Sequence, residues 1–586
     1  MIKKPILLPI PKKIICGDEK VNNSVLNGNI IVQKNSTLPH EGYNLTISQT
    51  QIFIESADDA GTFYAKQTLK QLQQQYHNND CPVLQIEDFP DIAMRGISLD
   101  VSRDRIMPFK DLLEFVDLLA SWKINTFTLY FEHVFAYKNH EKVWKNVSPF
   151  TAEDIQKLDK YCKERFIDLI PCQETLGHLT RWLCHEPYRQ LAECPGGCQS
   201  SWRLNETDPF SLCPTDPKSL EFIESLLDEL LPNFSSEYFY CGGDETSDVG
   251  KGRSKEICDK IGVDKVYGDY FKEIGKISAK HGRKMIIYAD MVKNNIDACK
   301  YLPKDAILAE WGYGRNYPFI ENAQSFIDCG LKFCILSSNS NYSTFGGRTY
   351  RWRGNIVNAV NSAIKLNALG YFNHEFGDFG HWTQFSFSIP GFAYGAALSW
   401  NYEGNKDIDL GSALDLFAYN KCVGLGDLII DIGKIYNHTA GTDDSDALYC
   451  QFYFDELKIA GIFDKMTSDN LAKAAEDVIT CTHRLHNLVN YPEKIQLEIK
   501  AALKYINFAI QVANEVILNG NVSKLADLPI DSKKVLAKEF AEVIETLLEI
   551  RDKYYLPGGR YEALCYLKRY WQRCCNPIPF PERFLT

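Results

Sequence analysis

A chain of 586 residues exceeds what one hydrophobic core organises, so two or three domains are expected, one of them as large as a barrel. Hydrophobic residues make up 45% and charged residues 24%, a composition that excludes a disordered chain. The formal net charge of -12 argues against nucleic-acid or anionic-membrane partners, and the sequence shows no basic patch to offset it.

In chain order, Met1 to Lys13 carries basic residues and an apolar run, Ile6 to Ile10, that prolines 9 and 11 interrupt and that is too short for a secretory core. No other stretch is apolar over a bilayer's length, so a cytoplasmic protein is expected. Residues 43–55, YNLTISQTQIFIE, alternate as half-buried strands do; a helix is expected over Gly61 to Tyr76 and a strand over Val83 to Ile86. These make a small α+β domain over residues 1–90, closed by the Asp-Phe-Pro-Asp turn at 88–91.

From Met94 short apolar strands alternate with longer helices. The expected strands are Gly96 to Leu99, Thr126 to Phe131, Asp168 to Pro171, Tyr238 to Cys241, Lys284 to Tyr288, Ile307 to Glu310, Lys332 to Leu336 and Ala393 to Trp400. Eight such units predict a (β/α)8 TIM barrel over residues 91–405, in the α/β class. An open doubly wound sheet would carry a glycine-rich phosphate loop after its first strand, and none is present. Amphipathic stretches at Asp469 to Asn490, Glu493 to Leu518 and Ser532 to Tyr554 predict a C-terminal helical domain over 406–586. The run Tyr561 to Thr586, with prolines 577, 579 and 581, is expected to be an extended surface tail.

The 19 cysteines are scattered and odd in number, the pattern of buried thiols rather than of a disulfide framework. Cys184, His185, Cys194, Cys198 and Cys213 fall in one loop-like stretch, where either free thiols or a structural zinc is compatible with the spacing. The separations match no standard finger, which favours free thiols.

Active sites of such barrels form at the C-terminal ends of the strands, so polar residues just after each apolar run are the candidates. The segment YFYCGGDETSDVG at 238–250 runs a strand into Gly242 and Gly243 and then presents adjacent carboxylates, Asp244 and Glu245. Two like charges at a strand mouth suggest a used pKa perturbation; a helix N-terminus stabilised by acids is the equal alternative from this segment alone. Other strand ends shift the balance. MRGISLDVSR (94–103) offers Arg95, Asp100 and Arg103; QETLGHLTRW (173–182) offers Glu174, His178 and Trp182. AEWGYG (309–314) offers Glu310, Trp311 and Tyr313, and NHEFGDFGHW (373–382) offers His374, Glu375, Asp378, His381 and Trp382. Singly these are ion pairs and core filling; together they set charged and aromatic groups around one rim, the mixture that binds sugars.

With RGISLDVSR, the GGDE at 242–245, LGHL at 176–179, GDFGHW at 377–382 and ALSWN at 397–401, the sequence resembles glycoside hydrolase family 20, the β-N-acetylhexosaminidases. Residues 41–72 look like the small domain that precedes the barrel there. The resemblance implies exo-acting hydrolysis of terminal β-linked GlcNAc or GalNAc, with the substrate's own 2-acetamido oxygen as nucleophile, an oxazolinium intermediate and retained configuration. It implies Glu245 as general acid and base, Asp244 orienting the acetamide, and His178 with Glu174 supporting the pair. It also implies Arg95 on the 3- and 4-hydroxyls, Trp311 and Tyr342 around the acetamide, Asp378 on the 4- and 6-hydroxyls and Trp382 as pocket floor. No metal or organic cofactor is required. The chain departs from many relatives at TLYFEHVFAY (128–137), where Glu132 and His133 replace a histidine-rich strand with paired aspartates, and at Ser247 and Tyr342, where tryptophan is common. Two competing readings are a glycosidase with Glu310 or Glu375 as protein nucleophile, and a sugar-binding barrel that has lost catalysis.

Overall fold

The computed structural model describes residues 4–76, 81–198, 208–293 and 296–585. Its first layer is a five-stranded sheet of β1 (Lys13–Val21), β2 (Ile30–Lys34), β3 (Tyr43–Ile47), β4 (Ile52–Ser56) and β5 (Cys81–Asp88), ordered β1-β5-β3-β4-β2. Strands β3 and β4 bury alternate residues, Tyr43, Leu45, Ile47 and Ile52, Ile54, which is the period-two pattern of the sequence turned inward. Against that face lies the helix Asp59–Gln75, with Tyr64, Ala65, Leu69 and Leu72 buried. The Asp58 carboxylate accepts the Gly61 N–H at 2.7 Å and so starts the helix.

The barrel follows. Its strands are β6 (Met94–Asp100), β7 (Thr126–Tyr130), β8 (Asp168–Ile170), β9 (Tyr238–Tyr240), β10 (Lys284–Tyr288), β11 (Ile307–Trp311), β12 (Lys332–Ser338) and β13 (Gly370–Glu375). All neighbours are parallel, in the order β8-β7-β6-β13-β12-β11-β10-β9. The ends β8 and β9 meet through a Cys172 to Tyr240 bridge, and the Gln173 N–H donates to the Tyr240 carbonyl at 3.0 Å. The helix Phe109–Ser121 shows why the outer ring packs: Leu112, Phe115, Val116, Leu119 and Ala120 recur at helical spacing and are buried.

Two sequence expectations are corrected. The eighth strand is β13, and Ala393 to Trp400 belongs to the helix Ile389–Trp400. Every residue of that helix is buried, so the run has no period by which strand and helix can be told apart; Pro390 in its first turn is the helix signal. The chain over 560–575 is the helix Arg560–Cys575 rather than an extended tail, because Ala563, Leu564, Leu567, Tyr570, Trp571 and Cys574 form a buried helical stripe. With Ser468–Asn487, Glu493–Leu518 and Ile530–Tyr554 it makes the C-terminal helices, cored by stacked Phe508, Phe540 and Trp571. Burial of a side chain such as Phe540 stabilises by roughly 1.5–3 kcal/mol.

The N-terminal end of the barrel sits on the first sheet through buried charge. Arg95, at the start of β6, lies 2.7 Å from Glu41, donates to the carbonyls of Ile92 and Lys123, and stacks over Trp400 at 4.9 Å. Lys123 pairs with Asp88 at 2.7 Å, and Asp88 also accepts from Tyr43 and the Trp400 indole. Among the described residues no helix is long and apolar enough to cross a membrane.

Candidate active site

At the opposite, C-terminal end, β9 delivers its chain into Gly242 and Gly243, with φ of 71° and 97°. Both must lack a side chain. A Cβ on Gly242 would fall 2.0 Å from the Glu174 carboxylate, and one on Gly243 would fall 2.6 Å from Phe271. Glu174 is fully buried beneath the turn and accepts the Gly243 N–H at 3.3 Å; burial and the nearby Asp244 push its carboxyl well above the usual range. Glu245 itself holds a left-handed φ of 56°, and its N–H donates to Asp290 at 2.9 Å.

His178 gathers the acids. Its Nε2 stands 3.4 Å from Asp244 and 3.3 Å from Glu245, and its Nδ1 stands 3.5 Å from Glu132. Burial opposes the imidazolium, but Asp244, Glu132 and Glu245 outweigh it and raise the histidine well above its ordinary value. Glu132 is buried too, which disfavours its charge, yet Arg103 at 3.0 Å and His178 hold it down to about 2. Among the described residues, His178, Asp244 and Glu245 are the one group of His, Cys, Asp or Glu close enough to share a cation, all within 4.8 Å.

A pocket of about 290 Å³ opens over the pair. Trp311, Tyr313 and Tyr342 line one side, with ring centroids 5.1 Å and 5.9 Å apart in sequence order, and Asp378, Arg103 and His178 line another. The Trp311 indole donates to Asp290 at 3.2 Å, so one half-buried carboxylate holds both the aromatic wall and the backbone of Glu245. Burial and Asp244 push Asp290 up to about 7, and burial pushes Asp378 up to about 6 despite Arg103.

The structure thus brings together Asp244, Glu245, His178, Glu132, Trp311, Tyr342 and Asp378, with Glu174 beneath them. Three expectations are corrected. Arg95 is sealed at the far end of the barrel against Glu41, and Arg103 takes the place in the pocket. Trp382 is half-buried against the C-terminal helices, donating to the Ala563 carbonyl at 3.1 Å, and lines neither chamber of the cleft. Glu310 and Glu375 lie outside the pocket: the first accepts from Tyr317 and Asn322 at 2.8 Å and 2.7 Å, the second from Ser388 at 2.9 Å, with His381 at 3.1 Å. Sequence reasoning missed Asp290 as a site residue, although it follows the apolar β10 by two positions, the signal used for the other strands.

All 19 cysteines are among the described residues, and none of them forms a disulfide. Cys184 donates to the Arg181 carbonyl and Cys213 pairs with Thr215, so these two do not face one shared centre; residues 199–207 of the same loop lie outside the described residues, as do residues 1–3 of the N-terminal stretch.

Two family models match: glycosyl hydrolase family 20, catalytic domain, over residues 93–366, and glycosyl hydrolase family 20, domain 2, over residues 13–89. Among curated proteins, a beta-hexosaminidase of Porphyromonas gingivalis is 26% identical over 48% of this chain and 40% of its own length. One from Akkermansia muciniphila is 24% identical over 55% of this chain and 69% of its own. The chain thus spans less than half the length of the first of these relatives. Among solved structures, a chitobiase of Flavobacterium johnsoniae is similar with a TM-score of 0.59 and 19% identity, over 93% of this chain and 98% of that one. An exo-beta-N-acetylglucosaminidase of Vibrio harveyi in complex with N-acetylglucosamine reaches 0.56 and 18%, over 71% and 77%. With a barrel and a preceding sheet that two models of one family cover over more than half of its length, the chain belongs to glycosyl hydrolase family 20.

Proposed function

We propose that the protein is an exo-acting, retaining β-N-acetylhexosaminidase that removes terminal β-linked GlcNAc or GalNAc from glycans. The observation that carries this reading is the adjacency of Asp244 and Glu245 at one strand mouth, facing a pocket whose other side is Trp311, Tyr313 and Tyr342. An aromatic enclosure beside a carboxylate suits an acetamide: the rings pack its methyl group and the carboxylate accepts its N–H.

In this mechanism Asp244 accepts the acetamide N–H and turns the carbonyl oxygen toward the anomeric carbon. That oxygen bonds to C1 while the glycosidic C–O bond breaks, and Glu245 gives its proton to the departing oxygen. The positive charge of the oxazolinium is met by Asp244. Water then bonds to C1, losing a proton to Glu245, and the C1–acetamide bond opens, so the configuration is retained. His178, with its Nε2 within 3.4 Å of Asp244 and 3.3 Å of Glu245, holds the two acids in place while Glu245 cycles its proton. Arg103 and Asp378 take the ring hydroxyls that the resemblance assigned in part to Arg95, and Glu132 orients Arg103.

The test is hydrolysis of 4-nitrophenyl β-glycosides of GlcNAc, GalNAc, glucose and galactose, with Asp244→Asn alongside. Cleavage confined to the 2-acetamido sugars, with Asp244→Asn severely impaired, is the expected result. Cleavage of the glucoside or galactoside would overturn substrate assistance, because those sugars carry no acetamide to attack.

A further inference from the structure

Two residues that line the cleft come from outside the barrel. Tyr453, which ends the helix Ala447–Tyr453, lines the pocket over Asp244 and Glu245; Tyr566, on the helix Arg560–Cys575, lines a second chamber of about 90 Å³. The two chambers share Arg103, His178, Asp378 and Phe379, so they are parts of one cleft. Phe379 sits between the tyrosines, its ring 4.7 Å from that of Tyr453 and 5.9 Å from that of Tyr566.

The C-terminal helices Ile530–Tyr554 and Arg560–Cys575, with the turn between them, hold the loops that carry the hydroxyl-binding residues. The turn at 555–559 clasps the segment after β6: the Leu556 N–H donates to the Ile106 carbonyl at 2.9 Å, and Arg551 donates to the carbonyl of Asp104. Gly559 is pressed so close that a Cβ there would meet the Asp104 Cα at 2.7 Å. Asp104 in turn receives both short contacts of Arg181, at 2.7 Å and 2.8 Å, on the wall of the second chamber. On the other loop, Gly380 lies against Ala563, where an added Cβ would fall 2.9 Å from its Cα.

We propose that Tyr453 and Tyr566 are specificity-determining residues: with Phe379 they wall the hydroxyl end of the cleft and set which non-reducing-end N-acetylhexosamine is accepted. This rests on the reading of the site as a hexosaminidase. Arg103 and Asp378 are, with His178, the polar groups shared by both chambers, so the sugar hydroxyls that Arg103 and Asp378 bind point toward this wall. GlcNAc and GalNAc differ only in the direction of the 4-hydroxyl, and a wall of fixed rings admits one direction more readily than the other by crowding or stacking.

The experiment compares kcat/KM for 4-nitrophenyl β-GlcNAc and β-GalNAc in the full-length protein and in Tyr453→Ala and Tyr566→Ala, with thermal midpoints measured beside them. Tyr453→Leu and Tyr566→Leu fill part of the same volume and supply folded protein if alanine does not. Tyr561→Ala, on the same helix as Tyr566 but 64% exposed and absent from both chambers, is the control. The expected result is a change of about fivefold or more in the GlcNAc to GalNAc ratio at one or both positions, and none in the control. Unmoved ratios in all four variants, or equal losses on both sugars that track a fallen thermal midpoint, overturn the inference alone. A wild-type protein that cleaves neither glycoside overturns the reading of the site, and this inference with it.

Discussion

Strand β6 has an arginine at each end, and the two have opposite occupations. Arg95, at the start, is fully buried and neutralised by Glu41. Arg103, just past the end, borders the pocket and is shared among Glu132, Asp100 and the ring of Tyr130. The N-terminal end of the barrel uses charge to dock one layer on another; the C-terminal end holds its charged groups beside a cavity. What separates them is strand direction, since a parallel barrel sends all strand ends of one kind to the same face.

The largest expected effect comes from the reacting end. Glu245→Gln should lower turnover of substrates with poor leaving groups by about 10²–10⁴-fold while a nitrophenyl leaving group is spared in the first step; pre-steady-state release of nitrophenol checks this. Next, the two arginines should separate in kcat/KM. Arg103→Ala, which leaves the buried Glu132 and Asp100 carboxylates without their cation, should cost about 10- to 100-fold in kcat/KM as well as stability, whereas Arg95→Met should remove roughly 3–5 kcal/mol of stability and leave kcat/KM of the folded fraction near that of the wild type. Denaturant titration beside kinetics reads both.

Asp290→Asn joins the two themes, because Asp290 is half-buried and holds the backbone of Glu245, the proposed acid. An amide there faces the Glu245 N–H with one acceptor only, so kcat should fall by about 5- to 50-fold. Its raised value also sets a sign for stability. A carboxyl held near 7 in the folded state and at its ordinary lower value when unfolded contributes fully below the ordinary range, and that contribution is lost as pH rises through about 7. The thermal midpoint of Asp290→Asn relative to wild type should therefore improve from pH 5 to pH 8; a difference that worsens over that range would sink the assignment. The smallest effect is expected from Trp382→Phe. It should leave KM unchanged and cost about 1 kcal/mol through the lost bond to Ala563.

The barrel was legible where apolar runs were short and bounded, as at β7, β10 and β12, and the Gly-Gly-Asp-Glu turn announced itself by composition. It was not legible where burial is complete on all sides: the helix Ile389–Trp400 has no polar face to give it a period. Arg95 was misassigned for a related reason. An arginine beside an apolar strand reads as a rim residue until the counter-ion is known, and Glu41 lies in a different layer, far away in sequence. The contribution of Tyr453 and Tyr566 was hidden similarly, since no local pattern tells a helix of the C-terminal region that it leans over a barrel mouth.

The sealed end has a consequence for modularity. Glu41 lies in the turn before β3 and Asp88 ends β5, and the cations they pair with, Arg95 and Lys123, belong to the barrel. Burial already pulls the Lys123 ammonium below its ordinary value with Asp88 in place. A gene fragment beginning after residue 90 would lose both counter-ions and uncover Trp400, which is fully buried in the core of the first layer and whose exposure alone would cost roughly 1.5–3 kcal/mol against a total stability of about 5–15 kcal/mol. The two layers are therefore expected to behave as a single unit of folding, neither one keeping its core closed without the other.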